Sequence, residues 1–263
     1  MPRFLEVRRS SLVAAATGFV LAACAATPSG ERGQGGDRAL GPHDAGATVA
    51  THALDATRAI DAAVAEVAIV DWPIAWSDER ERLMLAYRRR HSDPAAVDLT
   101  IAPTVIVLHY TAGGSAKATK RYFDRTLLER GRARLRDGGA VNVSAHFLVD
   151  RDGTIYRLQP ETRMARHCIG LNHVAVGVES VGDEDRYRLT EAQVEANARL
   201  VRHLASRFRI THLVGHHEAR DLEGTPLFVE RDRGYRNTKP DPGARFMTAV
   251  RARVADLELA GAP

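Results

Sequence analysis

Residues 104–110 read Thr-Val-Ile-Val-Leu-His-Tyr, "TVIVLHY". A short, nearly all-apolar run rich in β-branched residues is what a strand buried on both faces looks like. It carries a histidine, His109, close to its C-terminal end. In open α/β sheets, ligands bind outside the carboxyl ends of the strands. The run therefore predicts the middle of a sheet and one side of a site.

Working outward, residues 116–131, "AKATKRYFDRTLLERG", read as a helix. Residues 145–158, "AHFLVDRDGTIYRL", read as two strands around a glycine-containing turn. Residues 174–182, "VAVGVESVG", are another strand. An amphipathic helix spans 190–208, opened by a capping box of Thr190 and Gln193. Val194, Ala198, Val201, Ala205 and Phe208 line its apolar face. "ITHLVGH", 210–216, is a strand that ends at His216, and upstream Ser77 caps a helix through 78–91. Strands alternating with helices, plus one hairpin, predict an α/β fold with a central mixed β-sheet flanked by helices.

His109 and His216 stand at equivalent strand ends, which points to a shared site. Catalytic zinc usually takes three protein ligands and keeps one position for water, so two histidines need a third partner. Asp241, in "NTKPDPG" (237–243), is a candidate. Lys239 and Asp241 each precede a proline, which pushes both toward extended conformations. In extended chain, residues i and i+2 point roughly the same way, so the two charges can face one site. His217 follows His216 directly, and on a strand it would point to the opposite face. Other metal patterns fail: "HEARD" (217–221) is not H-E-x-x-H, and C-x-x-C is absent.

The chain has 263 residues, 44% hydrophobic and 27% charged, which suits one domain with added segments. Its net charge is +4, and the first 23 residues account for +2 of it. The near-balanced remainder gives no reason to expect a nucleic-acid partner. Arg3, Arg8 and Arg9 precede an apolar run from Leu12 to Ala23. That run is short for a span, which takes ~20 residues, and suits a signal peptide over 1–23. It ends in "LAAC", which resembles a lipobox with Cys24 as the lipidated residue. Residues 24–50 are rich in Gly, Ala and Pro and read as a flexible tether. Residues 51–100 read as a partly helical N-terminal extension, 101–250 as the main domain and 251–263 as a C-terminal tail. With Cys24 lipidated, Cys168 has no partner in the chain, so no disulfide framework is expected. Lipid on Cys24, followed by Ala25, would hold the chain on a membrane facing the periplasm, at the outer membrane under the usual sorting rule.

Five segments, in order, resemble the zinc-dependent N-acetylmuramoyl-L-alanine amidases of the amidase-2 type, relatives of the peptidoglycan-recognition proteins. They are "IVLHYTAG" (106–113), "NVSAHFLVDRDGTIYRL" (142–158), "MARHCIGLNHVAVGVE" (164–179), "LVGHHEAR" (213–220) and "TKPDPG" (238–243). The resemblance implies that His109, His216 and Asp241 bind Zn2+. It implies that Glu179 works on the attacking water and that Lys239 stands near the scissile carbonyl. It suggests His146, His167 and Asn172 as substrate-binding residues. The implied substrate is peptidoglycan or muropeptide, cut between N-acetylmuramic acid and L-alanine, by a chain expected to act as a monomer. Some relatives carry a tyrosine where this chain has Ala145, so Glu179 and Lys239 would carry more of the chemistry. The rival reading is a non-catalytic peptidoglycan-binding lipoprotein on the same fold.

Overall fold

The computed structural model describes residues 67–263. The expected signal peptide, Cys24, the tether and the first part of the 51–100 extension lie outside the described residues. In chain order the strands are β1 (Ile69–Asp71), β2 (Val105–Tyr110), β3 (Phe147–Val149), β4 (Ile155–Arg157), β5 (Ala175–Ser180) and β6 (His212–Gly215). The helices are α1 (Asp78–His91), α2 (Ala116–Phe123), α3 (Ala133–Asp137), α4 (Glu191–Arg207) and α5 (Ala244–Arg253). Short 3-10 turns cover His216–Leu222 and Ala255–Leu257.

The six strands form one sheet in the order β1-β4-β3-β5-β2-β6. The hairpin pair β3 and β4 is antiparallel and the other pairings are parallel, so the sheet is mixed. β2 lies between β5 and β6, as its apolar sequence requires. Its side chains alternate between two cores. Ile106 and Leu108 pack with Val176, Val201 and Leu204, and with Phe246 and Met247 of α5. Val105 and Val107 pack with Leu171, Val214 and Leu222 on the other face. Fully burying such side chains contributes ~1.5–3 kcal/mol each, so this strand anchors both layers.

β1 extends the sheet beyond the expected 101–250 domain by pairing in parallel with β4. At the other end α5 runs to Arg253, and Ala260 bridges to His212 beside β6. Both flanks are therefore part of the sheet layer.

The helix expected over 116–131 stops at Phe123. Arg80 of α1, almost fully buried, donates through Nη2 to the carbonyls of Phe123 and Arg125, both at 2.7 Å. The Asp124 carboxylate accepts from Ala75 N at 2.8 Å and from Lys120 Nζ at 2.7 Å. The Arg80 contacts claim backbone carbonyls that a continuing helix would need for its own bonds, and the Asp124 contacts pin the chain where it leaves the helix. The strand expected over 210–216 likewise ends at Gly215. Glu218 accepts from Gly215 N at 2.8 Å, and His216 opens a 3-10 turn instead.

α4 starts where its capping box predicts. Thr190 Oγ1 accepts from Gln193 N at 3.2 Å, and Gln193 Oε1 accepts from Thr190 N at 2.9 Å. The buried Gln193 also donates to the Val149 and Val181 carbonyls, tying the helix to the ends of β3 and β5. Thr190→Ala should lower the unfolding free energy by about 1 kcal/mol. In urea titration this appears as a lower midpoint with an unchanged slope.

Candidate metal centre and cleft

His109 sits at the C-terminal end of β2, directly paired with Glu179 of β5. His216 follows the last residue of β6, and Asp241 comes from the loop before α5. The three side chains converge. His109 Nδ1 lies 2.9 Å from His216 Nδ1, and Asp241 Oδ2 lies 3.1 Å from each of them. All three residues are buried. Tetrahedral zinc with ligand bonds of ~2.0–2.1 Å places its ligands ~3.3 Å apart, so this triangle matches the edge of such a site. The donor chemistry agrees: two imidazole nitrogens face one carboxylate oxygen, a set that a divalent cation satisfies.

The loop carrying Asp241 is fastened to the turn carrying His216. The His217 backbone N–H donates to the Asp241 carbonyl oxygen at 2.8 Å, and His217 Nδ1 lies 3.2 Å from the same oxygen. His217 is thus no ligand, but because the 3-10 turn bends it onto this loop rather than because a strand turns it away. Gly243, at φ +88°, closes the loop and opens α5. Any Cβ there would collide with the Glu184 carboxylate.

The ionisation of the group follows from burial. Burial, and then the proximity of the His216 ring, push His109 down to about 4, against the opposing pull of Asp241. At neutral pH the ring is uncharged, the form that binds metals. Burial would raise the Asp241 carboxyl, but the imidazoles of His109 and His216 set against it hold it well below the usual carboxylate range. Burial, followed by the negative charge of Asp241, pushes Glu179 well above the usual range, with Lys239 and Arg132 opposing. Glu179 Oε2 is buried without a hydrogen-bond partner.

These residues open into a cleft of ≈ 560 Å³ whose lining includes His109, Glu179, His216, Lys239 and Asp241. Lys239 and Asp241 thus share the cleft, as their spacing suggested. His167 and Asn172 also reach the wall, but their polar atoms face protein. His167 Nδ1 lies 3.0 Å from His109 Nε2, and Asn172 Oδ1 accepts from the backbone N–H of His167 and of Cys168, each at 2.8 Å. His146 requires a correction. It was expected among substrate-binding residues, yet it is 0% exposed and lies away from the cleft lining. Its Nδ1 accepts from Gly177 N at 2.9 Å and its Nε2 donates to the Arg163 carbonyl at 2.9 Å. Both nitrogens are spent on backbone, so His146 braces β5.

The sequence reading missed Arg166, Tyr87 and Tyr235 in the same wall. The Arg166 guanidinium, with the residue 2% exposed, donates to Tyr235 Oη at 2.8 Å and to carbonyls of Leu135, Gly139 and Val141. Tyr87, from the N-terminal extension, lies under it and accepts from Asn172 Nδ2 at 3.3 Å. An arginine flanked by Ala165 and His167 gives no local sign that its partners come from residues 135–141 and 235.

The family model described as N-acetylmuramoyl-L-alanine amidase (Amidase_2) matches residues 100–244. The chain belongs to this family. Among relatives of this amidase-family chain, the endolysin of Escherichia phage T7 is 31% identical over 88 residues, covering 32% of this chain and 58% of the endolysin. The endolysin of Enterobacteria phage T3 is 30% identical over the same length, with the same coverage. The match thus spans less than two thirds of either curated relative. Among solved structures, N-acetylmuramoyl-L-alanine amidase LysC from Clostridium intestinale URNW is similar at 21% identity and TM-score 0.47, covering 73% of this chain and 99% of that one.

His146 supplies a pH test. Burial pushes it down to about 4, from an ordinary value of ~6.5. Between those values the unfolded chain binds a proton that the folded chain does not, so stability falls as pH drops from 6.5 toward 4. His146→Gln removes that difference. Its unfolding free energy, measured by urea titration, should depend less steeply on pH across this window than that of the wild type. An unchanged slope would count against a buried neutral His146.

Proposed function

We propose that this chain is a zinc-dependent N-acetylmuramoyl-L-alanine amidase that hydrolyses the amide between N-acetylmuramic acid and L-alanine in peptidoglycan or muropeptides. The observation that carries the reading is the triangle of His109, His216 and Asp241 beside the unpartnered carboxyl of Glu179, in a chain of this family. His109, His216 and Asp241 would hold the zinc. When bound, zinc lowers the pKa of water and polarises a carbonyl. Glu179 takes the proton from the attacking water and delivers it to the leaving amine. Its raised pKa suits it to hold that proton between the two transfers. Lys239 supplies a fixed cation where negative charge develops on the carbonyl oxygen. The cleft wall of Tyr87, Arg166 and Tyr235 orients the substrate and limits water.

The same proposal includes export and anchoring. It is supported by the basic start, the apolar run and "LAAC" at 21–24. Among the described residues no helix is long and apolar enough to cross a membrane. A lipid on Cys24 would hold the enzyme at the outer membrane, facing the periplasm, as a monomer. Cys24→Ser should abolish incorporation of labelled palmitate in cells and shift the protein to the soluble fraction.

Mass spectrometry of purified muropeptides incubated with the zinc-loaded protein tests the activity. Release of an intact stem peptide is expected. Asp241→Ala should lose both zinc and turnover. Lys239→Ala should keep zinc while kcat falls about 10²–10³-fold, the usual cost of losing one oxyanion partner. Unchanged substrate with loaded wild-type protein would favour a binding module. Cleavage within the stem peptide would favour a different zinc hydrolase.

A further inference from the structure

The His109 ring has two working nitrogens. Its Nδ1 faces His216 and Asp241, and its Nε2 lies 3.0 Å from His167 Nδ1. A hydrogen bond between two imidazole nitrogens needs one N–H and one lone pair. The far side of His167 decides which is which. His167 Nε2 lies 3.3 Å from the Ala175 carbonyl oxygen, which can only accept. The His167 proton therefore sits on Nε2, and its Nδ1 offers a lone pair. His109 then donates from Nε2–H, which leaves the lone pair of the neutral ring on Nδ1, aimed at Asp241 and His216. That is the tautomer a metal ligand needs at that atom.

The backbone independently makes room for this arrangement. The His167 ring lies against Gly177 of β5, where a Cβ would come within 2.6 Å of ring Cγ and 2.7 Å of Nδ1. Gly177 is held in place by His146, which accepts from its N–H at 2.9 Å and donates a backbone N–H to its carbonyl at 3.0 Å. The loop above is held by Asn172, which accepts from the backbone N–H of His167. A bare stretch of strand below and a fastened loop above confine the ring to one position.

We infer that His167 is a positioning residue for His109: it sets the tautomer and orientation of that ligand, and Gly177 is its seat. The inference rests on the reading of His109, His216 and Asp241 as a metal site. The place outside a ligating histidine, commonly filled by a carboxylate or a carbonyl, is filled here by a second histidine that passes the hydrogen bond on to a carbonyl.

Zn2+ affinity of the metal-stripped full-length protein, measured by competition with a chromophoric chelator, tests the assignment. Thermal unfolding of each metal-free variant confirms folding. His167→Leu should weaken Zn2+ binding about 10–100-fold, the usual cost of losing such a partner. His167→Asn, whose amide oxygen can accept near the Nδ1 position, should recover most of the loss. Gly177→Ala should weaken binding similarly in the wild-type background. It should add little to His167→Ala, because no ring is left to displace. A folded His167→Leu variant that binds Zn2+ as tightly as wild type overturns the inference, as does His167→Asn binding no better than His167→Leu. Asp241→Ala separates the levels: loss of Zn2+ upholds the metal centre, and retained Zn2+ sinks both the centre and the role of His167.

Discussion

The parallel register of β2 with its two neighbours is the constraint on which the rest of the site depends. Pairing Val105–Tyr110 with Ala175–Ser180 sets His109 beside Glu179. Pairing Leu108 with Gly215 puts His216 one residue beyond the end of β6, next to the same edge. Strands lie ~4.8 Å apart, so residues distant in sequence become neighbours without any help from their own side chains. A slip of one residue would turn His109 toward the core under α4 and α5 and bring Leu108 to the cleft. The apolar alternation of β2 between two cores resists that slip, so packing energy protects the chemistry.

Burial then gives the residues their character. In solvent, two imidazoles and a carboxylate would be an ordinary surface group. At the cleft floor, His109 is held neutral, Asp241 is held charged and Glu179 is pushed toward its protonated form. Two carboxyl groups at one edge are driven apart in pKa because one has two imidazoles set against it and the other has a bare oxygen. Such a division of roles between like groups is a general route to acid–base function. The surrounding wall sustains it. Arg166 spends its guanidinium on three carbonyls and a tyrosine hydroxyl, which stiffens the side of the cleft. The extension contributes as well, because Tyr87 of α1 meets both Arg166 and Asn172.

Much of this was legible in the chain. The buried strand, the hairpin and α1 with its Ser77 cap follow from local pattern and end chemistry, and so does α4 with its capping box. His109, His216 and Asp241 stood out through strand ends and a proline-stiffened loop. The misreadings share one physical origin. The helix after Ser115 stops early because Arg80, some 40 residues upstream, captures its carbonyls. His146 reads as a site residue because its family segment is at the site, yet its ring turns inward to serve Gly177 and Arg163.

By itself the sequence determined which segments are strands or helices, which face of each is apolar and which residues have the chemistry for a metal and a proton transfer. These are local properties, set by side-chain period, branching and capping. Only the tertiary structure decided that His109 Nδ1, His216 Nδ1 and Asp241 Oδ2 meet within about 3 Å, that Glu179 lies next to them without a partner, and that the outer nitrogen of His109 is answered by His167. Those facts depend on register, on desolvation and on contacts spanning more than a hundred residues, and no local pattern carries that information.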